Sequence, residues 1–390
     1  MITDRRSTRK TSLKIIFSVT LSLILISNIW TISKWSESRG VYDDVCYLRQ
    51  AHLFQRFGIN GLDTNLIRDD DRYLPRKLQE INFPDPNDPA RAPCHTFMPA
   101  SNKFVMQYPP GTGFMLALFP SGFQVIPLYV LASVAVLGFA LLALACAATF
   151  NATALAGVFG IVAIYLMINP TKASYSVAPT MIACALAGYL TARLFVGGDR
   201  HRMLLTAAIG FVIGISVNFR LPNLFLAAGY SLFLFASFLI ARNRQAFVQG
   251  IWFGLSFLVG IAPTLTANAI NAGSPFSTTY GGADVVAPEL NGSILRQYLG
   301  DAQFVLLVIA AAWTAALWRW RGHGGTWQIA LIVVVNLAAN LIFFMTHPLF
   351  TPYYIIPIAM LSLWTLLFAT LFGLNRAAAE SPVAAQPERA

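Results

Sequence analysis

An all-α, polytopic integral membrane protein of about ten transmembrane helices is the fold class this sequence predicts, and three observations lead there. Hydrophobic residues fill 56% of the 390 positions and charged residues only 11%, where a soluble globular chain carries about 25% charged residues. Apolar runs of about eighteen residues or more, each long enough for a hydrocarbon core about 30 Å thick, recur along the chain. The basic residues gather in the short segments between those runs, the charge asymmetry of an inner-membrane protein. That placement accounts for the net charge of +10 without a nucleic-acid partner.

Residues 1–12 form a basic N-terminus expected in the cytoplasm, with Arg5, Arg6, Arg9 and Lys10, ahead of an apolar run from Leu13 to Ser33. No small-residue cleavage site follows that run, so it reads as a retained anchor rather than a signal peptide. The membrane domain is then expected over 13–374, and its first loop faces the periplasm or lumen. From about Lys34 to Pro110 this loop holds ten of the seventeen Asp and Glu residues, and with its juxtamembrane helices it extends over 34–122. Within it Leu48, Ala51, Phe54 and Gly58 recur at spacings of three and four, while Arg49, His52 and Arg56 line another face. The segment reads as an amphipathic helix on the outer membrane surface, its basic stripe turned to solvent or headgroups.

Cys46 and Cys94 both lie in this loop. Either they form a disulfide, worth roughly 3–4 kcal/mol on the non-cytosolic side, or they are two unpaired thiols. Cys146 and Cys184, in apolar segments, read as small packing residues. The stretch from Pro109 to Pro120 leaves about ten residues between prolines, a rise of about 15 Å, so it is expected to re-enter or lie on the outer surface. Later spans are expected at 123–148, 152–169, 177–197, 203–219, 222–241, 247–269, 302–318, 326–345 and 353–374. Under that count the basic pairs Arg200/Arg202, Arg242/Arg244 and Arg319/Arg321, with Arg376, fall on one side. The Ala-, Pro- and Glu-rich tail over 375–390 is expected to be cytoplasmic and disordered.

Asp43 and Asp44 place two carboxylates directly after the first span. One of them has an ordinary role as a helix N-cap, since Asp accepts from free backbone N–H groups; the pair is less well explained that way. Tyr108-Pro109-Pro110-Gly111 fixes an extended backbone from which a helix can start. Arg220 follows Gly210-Phe211-Val212-Ile213-Gly214 at the boundary between two apolar runs, and His347-Pro348-Leu349-Phe350-Thr351-Pro352-Tyr353-Tyr354 precedes the last one.

These four features, in this order, resemble the membrane-embedded GT-C glycosyltransferases, in particular the branch of protein mannosyltransferases and aminoarabinose transferases. The resemblance implies an inverting enzyme that moves a sugar from a polyprenyl-phosphate donor to an acceptor at the periplasmic or luminal face. A bacterial inner membrane is the expected location, with membrane lipid as surroundings and donor carrier. It implies Asp43 as the general base and Asp44 as a residue that orients the acceptor or Asp43, with Arg220 first among the phosphate-binding candidates and Lys103, Arg296 and His347 behind it. Two departures stand out: Gln107-Tyr108 precedes Pro-Pro where the branch often has a basic residue, and Pro352 stands where it usually has Arg.

No cofactor follows from the residues. Asp69-Asp70-Asp71 could hold a divalent cation weakly, but between Arg68 and Arg72 it reads better as solvated loop, and no metal constellation is expected. The alternative function is a non-catalytic transporter or lipid flippase, which calls for polar residues along the middle of several spans; the spans here are nearly free of charge.

Overall fold

The computed structural model describes residues 2–37, 42–169, 174–198, 201–280, 291–319, 325–346 and 350–380. Among them the chain is helical apart from one two-stranded hairpin. Helix α1 (Ile2–Ile32) is followed by α2 (Tyr42–Phe57), α3 (Tyr73–Glu80), strands β1 (His95–Met98) and β2 (Lys103–Met106), and α4 (Gly111–Ala117). Then come α5 (Val125–Cys146), α6 (Phe150–Leu166), α7 (Val177–Phe195), α8 (Arg202–Phe219), α9 (Ala228–Ala241) and α10 (Arg244–Ala272). The series closes with α11 (Gly292–Gly300), α12 (Phe304–Arg319), α13 (Thr326–Thr346) and α14 (Ile355–Glu380).

Among the described residues eight helical segments are long and apolar enough to cross a membrane, so the chain is a membrane protein by length and composition. The expected ten spans are met only in part. Helix α6 has 17 residues and α12 has 16, at and just below the lower limit of the length that crosses a bilayer core, about 17–25 residues. Helix α12 reaches the required length only together with α11, across a bend of 87°. Helix α4, seven residues long, rises about 10 Å and does not cross, as its flanking prolines predict. The expected disorder from residue 375 is corrected: α14 continues through Glu380, and residues 381–390 lie outside the described residues.

Contacts sort the helix ends to two sides. Lys10 and Lys14 donate to the carbonyls of Ala148 and Ala145 beyond and at the end of α5. At the start of α5 the carboxylate of Glu37 accepts the backbone N–H groups of Gln124 and Val125, an anion set against the positive end of the helix dipole. Helix α14 occupies the centre, with Ile355–Leu371 buried on all faces, as a helix apolar all round must be. Its Trp364 is fully buried against Phe159, Phe139 and Phe368.

Helices α8 and α10 approach closely enough to exclude side chains. A Cβ at Gly210 would lie 2.5 Å from the Phe253 carbonyl oxygen, one at Gly214 2.4 Å from that of Phe257, and one at Gly260 2.5 Å from that of Phe211. Small residues permit such close contact where lipid supplies no hydrophobic drive between helices. Pro263 interrupts the donors of α10, and Asn218 supplies a cross-helix bond there. Its Nδ2 donates to the Gly260 carbonyl at 2.7 Å, and its Oδ1 accepts from Thr264 N at 3.0 Å and Oγ1 at 2.7 Å.

The surface-lying amphipathic reading of α2 is corrected. Residues Asp44–Ala51 are all buried, and the helix runs inside the domain built by the first loop. Its basic stripe meets the acidic run almost residue for residue: Arg49 Nε lies 3.5 Å from Asp69, His52 Nε2 2.7 Å from Asp71, and Arg56 Nη1 2.6 Å from Asp70. Three carboxylates that read as solvated loop or a weak cation site are therefore matched by side chains three and four residues apart on one helix face. Cys46 and Cys94 are joined by a disulfide, which ties α2 to the segment entering the β1–β2 hairpin.

Candidate active site

The site is built at one end of the bundle, from the start of α2, the end of α8, the start of α7 and the start of α14. A cavity of about 460 Å3 opens there. Among the described residues lining it, Asp43 is the one carboxylate and Arg220 the one cation. The rest of the wall is polar and aromatic, with Tyr47, Gln107, Tyr108, Ser174, Ser176, Tyr280, Tyr353 and Tyr354 among its residues.

Asp43 is half-buried in the first turn of α2, inside the helix rather than ahead of it as a cap. The Tyr108 hydroxyl donates to Asp43 Oδ1 at 2.5 Å, and the Tyr353 hydroxyl to Oδ2 at 3.3 Å. Tyr108 is held by the hairpin on one side and by Pro109-Pro110 on the other, and its ring stacks on Tyr47 at 5.0 Å. Burial first, and the Asp43 charge second, push the Tyr108 hydroxyl far above its ordinary range; it stays protonated and remains a donor. Burial and Asp43 raise Tyr47 in the same way.

Arg220 takes its place because α8 ends at Phe219 and Pro222 starts a 3-10 turn over Leu221–Ala227. Asn223 locks this corner, donating to Ser216 O at 2.7 Å and to Thr180 Oγ1 at 3.0 Å. The guanidinium, 6% exposed, lies 4.7 Å from the ring centres of both Tyr353 and Tyr354, a cation held by two aromatic faces. Its Nη1 is buried with no hydrogen-bond partner among the described residues. A buried charged donor left without an acceptor is costly, and an oxyanion in the cavity would supply one.

The remaining expected site residues divide. Asp44 is fully buried, away from the cavity lining, and accepts from the backbone N–H of Tyr175 at 3.3 Å. Lys103 is outside the lining as well, donating to Asp63 at 3.1 Å and to the Ile270 carbonyl at 3.1 Å. Arg296 is exposed on α11 and does not line the cavity. His347 lies outside the described residues. Cys94, through its bond to Cys46, is part of the cavity wall. Among the described residues no group of three or more His, Cys, Asp or Glu is placed to hold a metal ion.

Sequence reasoning quoted Tyr108, Tyr353 and Tyr354 within their motifs but gave them no role. They stand at or beside the two departures from the glycosyltransferase resemblance, and they make the contacts to Asp43 and Arg220. Tyr47, in the stretch that follows Asp43, was likewise given no role, and Tyr280 carried no signal at all. No protein-family model matches this chain, and neither does any curated protein or solved structure.

Proposed function

We propose that this chain is a membrane glycosyltransferase of GT-C type, transferring a sugar from a polyprenyl-phosphate donor to an acceptor at the non-cytosolic face. The observation that carries the reading is the pairing of one carboxylate with one partner-seeking arginine in a single cavity at the end of the bundle. The acceptor hydroxyl attacks the anomeric carbon while Asp43 takes its proton. The bond from that carbon to the phosphate oxygen breaks, its electron pair leaves with the phosphate, and the new glycosidic bond forms with inversion. General-base action of this kind typically contributes about 10²–10⁴-fold, and Tyr108 and Tyr353 hold Asp43 in place for it. Arg220 Nη1 faces the charge that grows on the leaving phosphate, where a fixed donor in a water-poor site counts most.

The test is purified protein, supplied with polyprenyl-phosphate sugars, together with glycan profiling of the envelope in a deletion strain. Asp43→Asn should fold as wild type and lose about 10²-fold or more of the transfer rate. Transfer by Asp43→Asn at the wild-type rate would sink the assignment. Movement of the carrier lipid across vesicles without any transfer would favour the flippase instead.

A further inference from the structure

The first three residues of α4, Gly111, Thr112 and Gly113, touch both the helix that carries Asp43 and the helix that leads to Arg220. A Cβ at Gly111 would lie 2.7 Å from the Asn218 carbonyl oxygen and 2.8 Å from the Asn218 Cβ. One at Gly113 would lie 2.5 Å from Gln50 Oε1 and 2.6 Å from the Gln50 Cβ. Between the two glycines, Thr112 is fully buried and its Oγ1 donates to the Phe219 carbonyl at 3.1 Å. Gln50 follows Asp43 in α2 at a separation of two helical turns, on the same face. Asn218 and Phe219 are the residues directly before Arg220.

A hydroxyl on the last carbonyl of a helix has an ordinary use, since the final C=O groups lack intrahelical partners. That use accounts for Thr112. It does not account for glycine on both sides of it, one closing on α8 and the other on α2. The facing surfaces are not free to yield either. Asn218 is tied across to Gly260 and Thr264 of α10, and the Gln50 Cβ moves only with its helix. A methyl group at either glycine therefore displaces a helix rather than the tip of a side chain.

We propose that Gly111-Thr112-Gly113 is a spacer that sets the separation of Asp43 and Arg220, with Thr112 the residue that positions Arg220. Tyr353 spans the same separation, its hydroxyl on Asp43 and its ring against the guanidinium. A base on the attacking group and a cation on the leaving group need a fixed spacing, and a misplacement of about 1 Å is enough to lose about 100-fold in rate. The consequence for catalysis rests on the sugar-transfer reading, whereas the positioning of Arg220 does not.

The experiment compares full-length wild type with Thr112→Val, Thr112→Ser and Gly113→Ala in two assays. One measures steady-state transfer from polyprenyl-phosphate sugars. The other measures how fast phenylglyoxal modifies Arg220, read by peptide mass spectrometry, and needs no turnover. Thr112→Val should lower kcat about 2- to 10-fold with little change in KM, and should speed the modification of Arg220 about twofold or more. Thr112→Ser, which keeps the hydroxyl, should restore both. In an Arg220→Lys background the further loss from Thr112→Val should shrink to less than about twofold, because the two residues act as one unit. Gly113→Ala should shift both readouts in the same direction as Thr112→Val. Arg220 modification at the wild-type rate in Thr112→Val and Gly113→Ala overturns the proposal, whether or not the wild type transfers sugar. An equal loss of rate from Thr112→Val in both backgrounds overturns the positioning role and leaves Thr112 a helix cap. A wild type that transfers no sugar, with Arg220 modification shifted as expected, overturns the sugar-transfer reading and upholds the spacer.

Discussion

Asp43 and Asp44 are neighbours in sequence and strangers in space. A helix turns about 100° per residue, so once both lie within the first turn of α2 they face different surroundings. Asp43 turns to the cavity and two tyrosine hydroxyls, Asp44 to the backbone N–H of Tyr175. Tyr108→Phe removes the closer donor from Asp43. A hydrogen bond to a charged group is worth about 1.5–3 kcal/mol, so kcat should fall by about 10- to 100-fold, with little change in KM, in steady-state transfer assays. His95 gives a pH-dependent counterpart in the first loop. Burial, and then the nearby Arg49 cation, lower its imidazole from the usual 6.5 to about 3. The unfolded chain therefore binds a proton below about pH 6.5 that the folded chain refuses until about pH 3. Stability is full above the higher value and declines as pH falls through that window. Chemical denaturation of His95→Gln against wild type from pH 7 to pH 4 should show a shallower decline for the variant.

At the level of elements, the close crossing of α8 and α10 sets Arg220 at the cavity. Gly214→Leu would drive a side chain into the Phe257 carbonyl, and overpacking of this kind costs about 1–3 kcal/mol; a lowered melting temperature in detergent is the expected readout. Asn218→Leu would leave the Gly260 carbonyl and Thr264 N–H without their cross-helix partner, at about 1–3 kcal/mol. The Gly-rich run over 210–214 was legible as a motif, and its physical reason is this carbonyl contact. Helix α2 was legible as a helix but not as a buried one. Its apolar and basic faces follow the pattern of a surface helix, and nothing local in Arg49, His52 and Arg56 reveals that Asp69–Asp71 folds back onto them. The role of Tyr108 was hidden for a similar reason: it reaches Asp43 only because the disulfide and the hairpin bring the far end of the loop home.

For the whole molecule, alternating helix directions place the Asp43 cavity and the Lys10 and Lys14 contacts at opposite ends. Asn60→Cys and Asn243→Cys, each the only reactive cysteine in its variant, should accordingly be labelled by an impermeant thiol reagent from opposite sides of sealed vesicles. The apolar runs made the architecture readable, because the hydrocarbon thickness imposes a length on every crossing segment. Helices α6 and α12, of 17 and 16 residues, lie at or just under the lower limit of that length. The two active-site candidates that lie together, Asp43 and Arg220, were readable because charge is scarce in this chain. Lys103 was no less visible, but its partner Asp63 holds it elsewhere.

The walls around Asp43 are drawn from Tyr42 at one extreme and Tyr354 at the other. A nascent polypeptide threading into the bilayer thus has no enclosed reaction chamber until α14 slides into the middle of its predecessors. If the cavity is the sugar-transfer site proposed here, release from the insertion machinery and the onset of transfer should coincide, and half-made copies should consume no donor.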